Sequence, residues 1–165
     1  REEYIEIINR LLKVRPNIKI SSDFIVGFPN ESDFDFQQTM DLIEEIRFDA
    51  SFSFIYSARP GTPASQLEDS VKLETKKERL YILQKRIDEL QLNYSNDLVG
   101  TIQRCLVTGI SKKDINQLQA RTECNRVVNF DFQNINILGK LVDIDITKAY
   151  QRSLTGKILN SKGVS

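Results

Sequence analysis

The sequence predicts an α/β unit followed by a small all-β barrel of the OB-like type. Three observations lead there. Up to residue 96 apolar positions recur at helical spacings around two β-rich runs, and beyond residue 97 the spacing falls to near two. The charge also changes sign there: Lys and Arg number 13 against 17 Asp and Glu up to Asn96, and 10 against 6 after it. A half of net −4 thus precedes a half of net +4, and the second is the one suited to a polyanion. The division is expected at 95–97, giving units 1–95 and 96–160 and a frayed 161–165 tail.

Composition narrows the class. A chain of 165 residues buries roughly 70% of its unfolded surface when compact, enough for a core. Apolar residues at 40%, charged residues at 28% and only 11 Gly plus Pro exclude collagen-like, low-complexity and strongly disordered chains. No apolar run reaches the ~20 residues of a membrane helix, and REEYIEIINR has neither a signal core nor a transit pattern. With two cysteines, Cys105 and Cys124, and no histidine, a disulfide framework, His/Cys zinc spacing and Ser-His or Cys-His nucleophile pairs are all excluded. A reducing, cytoplasmic setting fits. The chain opens at Arg1 inside an amphipathic pattern, so it is expected to be the C-terminal part of something longer.

The first helix carries Tyr4, Ile5, Ile7, Ile8, Leu11 and Leu12 on one broad face and ends near Val14, before Arg15-Pro16. IKISSDFIVGF then reads as a strand over 18–27 covered on both faces, being β-branched and only partly alternating. Ser32 caps the next helix with Asp33 and Asp35 in its first turn, and Phe36, Met40, Ile43 and Ile46 form its apolar face. ASFSFIY is a second strand, breaking at SARPGTPA. Strand, helix and strand with short links close as a right-handed parallel crossover. Leu80, Leu83, Ile87, Leu90 and Tyr94 are the seam of a long helix over 73–94 that docks on the sheet. LVGTIQRCLVTGI, QLQARTE, RVVNF, LVDIDI and LTGKIL follow as five short strands, with Gly109, Asn134 and Gly139 in the turns, and closure removes their edges.

Two places are candidates for chemistry. Gly27-Phe28-Pro29-Asn30-Glu31 sits at the carboxyl end of the first strand, where parallel folds bind ligands, and reads equally as a tight βα turn. Asp23 and Glu31 do not make a convincing acid–base couple. SARPGTPA closes the neighbouring strand and reads either as simple punctuation or as a second binding loop, since two such loops at adjacent strand ends would share one pocket mouth. In the barrel, ARTECNRVVNF brings Arg121, Thr122, Asn125 and Arg126 onto one strand-turn-strand, with Arg104, Lys140 and Lys157 as neighbours. Such residues bind phosphates and base edges of RNA, or form a solvated barrel surface. Phe130, Phe132 and Tyr150 either stack bases or fill the barrel. Cys105 reads as a half-buried strand residue and Cys124 as a turn residue, neither holding metal.

The run ISSDFIVGFPNESDFDFQQTMDLIEEIRFDASFSFIYSARPGTPA resembles the later strands of the barrel in the radical-SAM methylthiotransferase family, and ARTECNRVVNF resembles the signature of its C-terminal TRAM domain. The departures are Asn30 and Ala120 where the family usually has Gly, and Cys124 where Asn is usual. The resemblance implies the end of a partial TIM-like radical-SAM barrel followed by the OB-like TRAM barrel. It implies an enzyme that uses S-adenosyl-L-methionine and two [4Fe-4S] clusters, ligated upstream of this sequence, to add a methylthio group to C2 of an isopentenylated adenosine beside a tRNA anticodon. Asp23, Ile25 and Gly27, with Phe54 and Tyr56 on the next strand, would line the S-adenosyl-L-methionine site. Arg104, Arg121, Thr122, Asn125 and Arg126 would grip the tRNA. No metal ligand and no catalytic residue is implied within the chain, which alone is expected to be inactive and to bind neither cluster nor S-adenosyl-L-methionine tightly. The implied partners are tRNA and a reducing electron-transfer protein, with no membrane and a monomeric chain. The alternatives are a non-catalytic RNA-binding module and the sister enzyme acting on a ribosomal-protein aspartate.

Overall fold

A computed structural model describes residues 1–131 and 135–159; Phe132, Asn134 and the 161–165 tail lie outside the described residues. It divides into two compact units, Arg1–Gln91 and Leu92–Ser165.

In the first unit α1 spans Glu2–Val14, β1 Ser21–Val26, α2 Asp33–Ile46, β2 Ala50–Ile55, and α3 Leu73–Asn96 runs on into the second. α2 starts where Ser32 predicts: its hydroxyl accepts from the Asp35 amide, and the Asp35 carboxylate accepts in return from the Ser32 amide at 2.9 Å. Those same Ser32 hydrogen bonds lower the Asp35 pKa. β1 and β2 pair in parallel from Ser21↔Ala50 to Val26↔Ile55. The core gathers Phe24 and Val26 of the sheet, Ile43 of α2, Phe48, and Leu83, Ile87 and Leu90 of α3, so the predicted seam is the buried stripe of α3. Arg86 of α3 donates to Glu44 of α2 at the edge of that contact, which holds the Glu44 carboxyl below its ordinary value.

One expectation is corrected. β1 is covered on one face only: Phe24 and Val26 are buried, whereas Asp23 and Ile25 are exposed. The apolar run lacks strict alternation because both faces carry apolar residues, and only one of them meets the helices.

The second unit holds β3 Ile102–Ile110, β4 Gln117–Thr122, β5 Val127–Asp131, β6 Leu141–Tyr150 and β7 Ser153–Ile158, closed in the order β3-β4-β5-β7-β6. Every second side chain points inward, giving a core of Cys105, Val107, Leu118, Ala120, Val128, Phe130, Ile144, Ile146 and Leu154. Gly109 is not a turn residue. It lies in β3 at a register shift against β4, where an extra residue bends the strand. Gly139, at φ +74°, does turn the chain into β6. At Gly156 a Cβ would lie 2.4 Å from Ile144 Cγ2 and 2.6 Å from the Asp145 carbonyl, so only glycine lets β7 approach β6 this closely.

Candidate functional site

Parallel pairing brings both loops to one edge of the sheet: the Tyr56 amide continues the ladder to the Val26 carbonyl at 2.8 Å, and the chain leaves each strand just beyond. On the face away from the helices, Ile25 stands directly opposite Phe54 and Asp23 opposite Phe52. Ile25, Phe52 and Phe54 are 59%, 70% and 56% exposed. The structure therefore brings Asp23, Ile25 and Phe54 onto one face with Gly27 at its rim, and adds Phe52. The alternation of Ser51 and Ser53 with Phe52 and Phe54 already put the two phenylalanines on one side. Tyr56 follows in the same phase and is half-buried. Its ring meets Phe28 edge-on at 5.1 Å and lies 5.7 Å from Lys76 Nζ, while its hydroxyl is buried with no hydrogen-bond partner.

The loop after β1 is held from outside itself. Gly27 adopts φ +69°, and a Cβ there would fall 2.4 Å from Lys76 Cγ, so glycine is required twice over. Asn30 sits at φ +66°, the left-handed region that Asn tolerates. The Gly27 amide donates to Glu31 Oε2 at 2.8 Å. Arg79 of α3 donates through Nη1 to Glu31 Oε1 at 2.7 Å and to the Glu31 carbonyl at 3.0 Å, and through Nη2 to Asp33 Oδ1 at 2.7 Å. Lys76 donates to Asp69 Oδ2 at 2.5 Å. With both oxygens engaged, Glu31 is a brace rather than a proton carrier. Sequence reasoning missed Lys76 and Arg79 because KKER at a helix start reads as a solvated charge run, yet both side chains are at least nine-tenths buried.

In the barrel, β4 and β5 are joined by a turn in which Asn125 takes φ +64°. Arg121 Nη1 donates to the Asn125 carbonyl at 2.9 Å and to its Oδ1 at 3.2 Å. Arg126 is buried: its Nε donates to Ser95 Oγ at 3.0 Å, its Nη1 to Cys124 Sγ at 3.3 Å, and its amide to Thr122 Oγ1 at 3.0 Å. Thr122 is buried too. Thus Arg121 and Asn125 present polar groups outward, while Thr122 and Arg126 build the turn that presents them. Arg104, exposed on β3, lies one residue before Cys105, which pairs with Thr122, and faces Asp143 across β6. Lys140 is at the far end of β6 from Tyr150, and Lys157 pairs with Asp145. Phe130 is fully buried and Tyr150 is 45% exposed.

Among the described residues no group of three His, Cys, Asp or Glu could hold a metal ion. Cys105 is fully buried in the barrel core, not half-buried, because its strand position falls in the inward phase. Burial pushes its thiol up to about 11, with Cys124 and Asp143 adding to the shift. Since the folded value lies above the unfolded one, the neutral thiol's stabilisation is complete below about pH 9 and is lost as pH rises toward 11. At about pH 8 a thiol reagent is expected to modify half-buried Cys124 rapidly, and Cys105 only at the rate at which the barrel opens; equal rates for both would contradict this burial.

Comparison with known proteins gives two findings. Residues 97–159 match the family model described as TRAM domain. Nearly the whole chain is similar to three curated proteins named tRNA-2-methylthio-N(6)-dimethylallyladenosine synthase. The one from Hahella chejuensis is 57% identical over 159 residues, covering 96% of this chain and 36% of the relative. That from Histophilus somni is 57% identical over 160 residues (97% and 34%), and that from Erwinia tasmaniensis 56% over 160 (97% and 34%). The chain spans about a third of the length of the curated relatives it matches.

Proposed function

We propose that this chain, similar over nearly its whole length to tRNA methylthiotransferases and carrying a TRAM-domain match, is the part of a radical-SAM enzyme that completes the S-adenosyl-L-methionine site and holds the tRNA. The observation that carries the first role is the face on which Ile25 opposes Phe54 beside the Gly27 tip. This face fits a nucleoside-containing cofactor. Ile25 and Phe54 give an apolar surface for adenine, and Asp23 offers a carboxylate to hydroxyl or ammonium groups. The buried, unpartnered hydroxyl of Tyr56 adds one more polar group at the same strand end. S-adenosyl-L-methionine, held by Asp23, Ile25, Gly27, Phe54 and Tyr56, would supply radical chemistry to the full enzyme. The residues of this chain bind and orient the cofactor, and Arg79, through Glu31, keeps the Gly27 loop in one conformation.

Cys105 and Cys124 do not fit a cluster. One is sealed in the barrel core, and two thiols fall short of the usual ligand set. Both clusters are therefore assigned to residues outside this sequence, and the chain alone is expected to be inactive. The full enzyme would draw electrons from a reducing protein and act as a monomer in the cytoplasm. Among the described residues no helix is long and apolar enough to cross a membrane. The reading frame upstream of Arg1 is expected to encode a CxxxCxxC motif; a start codon immediately before Arg1 would overturn the enzymatic reading and leave an RNA-binding module.

The second role rests on Arg121, Asn125 and Arg104 at one end of the barrel, in the half of net positive charge. Arg121→Gln is expected to weaken binding of an anticodon stem-loop RNA by about 1 kcal/mol and to reduce the salt slope by about one, as loss of a single phosphate contact does. Filter binding across a salt series measures both, and unchanged affinity and slope would remove Arg121 from the interface.

A further inference from the structure

We propose that Tyr150, carried with Lys148 and Arg152 on the β6–β7 hairpin, is a stacking platform for an unpaired RNA base. The inference rests on the RNA-binding reading and deepens it. Two features of the fold carry it.

The first is a bulge. In β6 Ile144 and Ile146 point into the barrel, and unbroken alternation would send positions 148 and 150 inward after them. The register against β7 shifts between Ile146 and Lys148, so that Ala149 pairs with buried Leu154 while Tyr150 pairs with Ser153. One extra residue reverses the phase, which turns Lys148 and Tyr150 out to solvent; such bulges re-aim side chains at barrel rims. Lys148 Nζ then lies 5.0 Å from the Tyr150 ring centroid. This contact fixes the ring and sets a cation beside anything stacked on it. Arg152, exposed in the turn between the strands, adds a second cation.

The second is topology. β5 and β7 pair in parallel, Val128 beside Leu154, so the turns that precede them lie at the same end of the barrel. The Arg121–Asn125 turn precedes β5 and the Tyr150–Ser153 turn precedes β7. With Ser153 on the strand between them, Tyr150 and the start of β5 are two strands apart, about 10 Å. An aromatic ring with a cation beside it, at the same end of the barrel as an Arg/Asn turn, is the combination that single-stranded nucleic acid uses: bases stack on the ring and the backbone follows the charges. The expected ligand is a loop nucleotide, since bases in a duplex are not free to stack on a side chain.

The test compares the 165-residue chain with Tyr150→Leu and Tyr150→Phe on two RNAs of equal length, a hairpin with an unpaired loop and a fully paired duplex. Tyr150→Leu is expected to lose roughly 5- to 150-fold in affinity for the hairpin and much less for the duplex, with an unchanged salt slope. Tyr150→Phe keeps the affinity, because stacking does not use the hydroxyl. Lys148→Gln and Arg152→Gln each lower the salt slope by about one. Hairpin affinity unchanged in Tyr150→Leu, or lost equally in Tyr150→Phe, overturns the platform while Arg121 binding stands. A parent chain that binds neither RNA overturns the RNA reading itself.

Discussion

Arg79→Met is expected to destabilise the first unit by about 3 kcal/mol and to release the loop between β1 and α2. The substitution keeps most of the buried volume and removes the guanidinium that satisfies Glu31, whose side chain is only 11% exposed. A buried carboxylate left with one amide donor, Gly27 N, bears the desolvation that its partner had offset, and breaking such a pair costs about 3–5 kcal/mol. The lower end applies because Asp33, the second partner, is fully exposed and contributes little. Arg79→Lys is not a rescue, since a single ammonium cannot reach Glu31 and Asp33 through separate nitrogens. The double variant Arg79→Met/Glu31→Gln is expected to recover part of the loss, because no uncompensated charge remains. Urea unfolding measures the stability, and amide exchange at Gly27 reports the loop directly. A single variant with the parent's midpoint and a protected Gly27 amide would show that the ion pair is not what holds the loop.

Phe130→Ala is expected to cost the barrel about 3–5 kcal/mol. Phe130 is fully buried at the centre of a core that also holds Leu118, Val128, Ile144, Ile146 and Leu154, and a closed barrel cannot collapse around the void without breaking strand pairing. β5, which carries it, also anchors the Arg121–Asn125 turn and pairs with β7. Opening of the barrel is therefore expected to remove RNA binding together with the protection of Cys105. Thiol labelling of Cys105 should accelerate in step with the fall in stability; a slow Cys105 in a variant with a lowered unfolding midpoint would show that the thiol is sealed by something other than the barrel.

Much of this was legible in the chain itself. Ser32 with Asp35 marks the start of α2, Leu83, Ile87 and Leu90 mark the face of α3, and the period-two runs after Asp97 mark five strands, because capping and amphipathic burial are short-range demands written within a few residues. The residues of the candidate cofactor face came from a family resemblance, and pairing showed that Asp23, Ile25 and Phe54 share that face. The strand-turn-strand pattern of ARTECNRVVNF grouped Arg126 with Arg121. Which of them faces solvent depends on Ser95, 31 residues away, which receives the Arg126 Nε hydrogen bond.

What the order of amino acids determined alone is the element list, the sign change in charge at the junction and the two loops where binding is to be sought. Only the tertiary structure decided that Lys76 and Arg79 are buried braces, that Glu31 is spoken for, and that a bulge turns Tyr150 outward beside the Arg121 turn. The physical reason is range. Periodicity and caps are satisfied by neighbours along the chain, whereas the partner of a charge and the register of a strand are settled by residues tens of positions away, which no local pattern encodes.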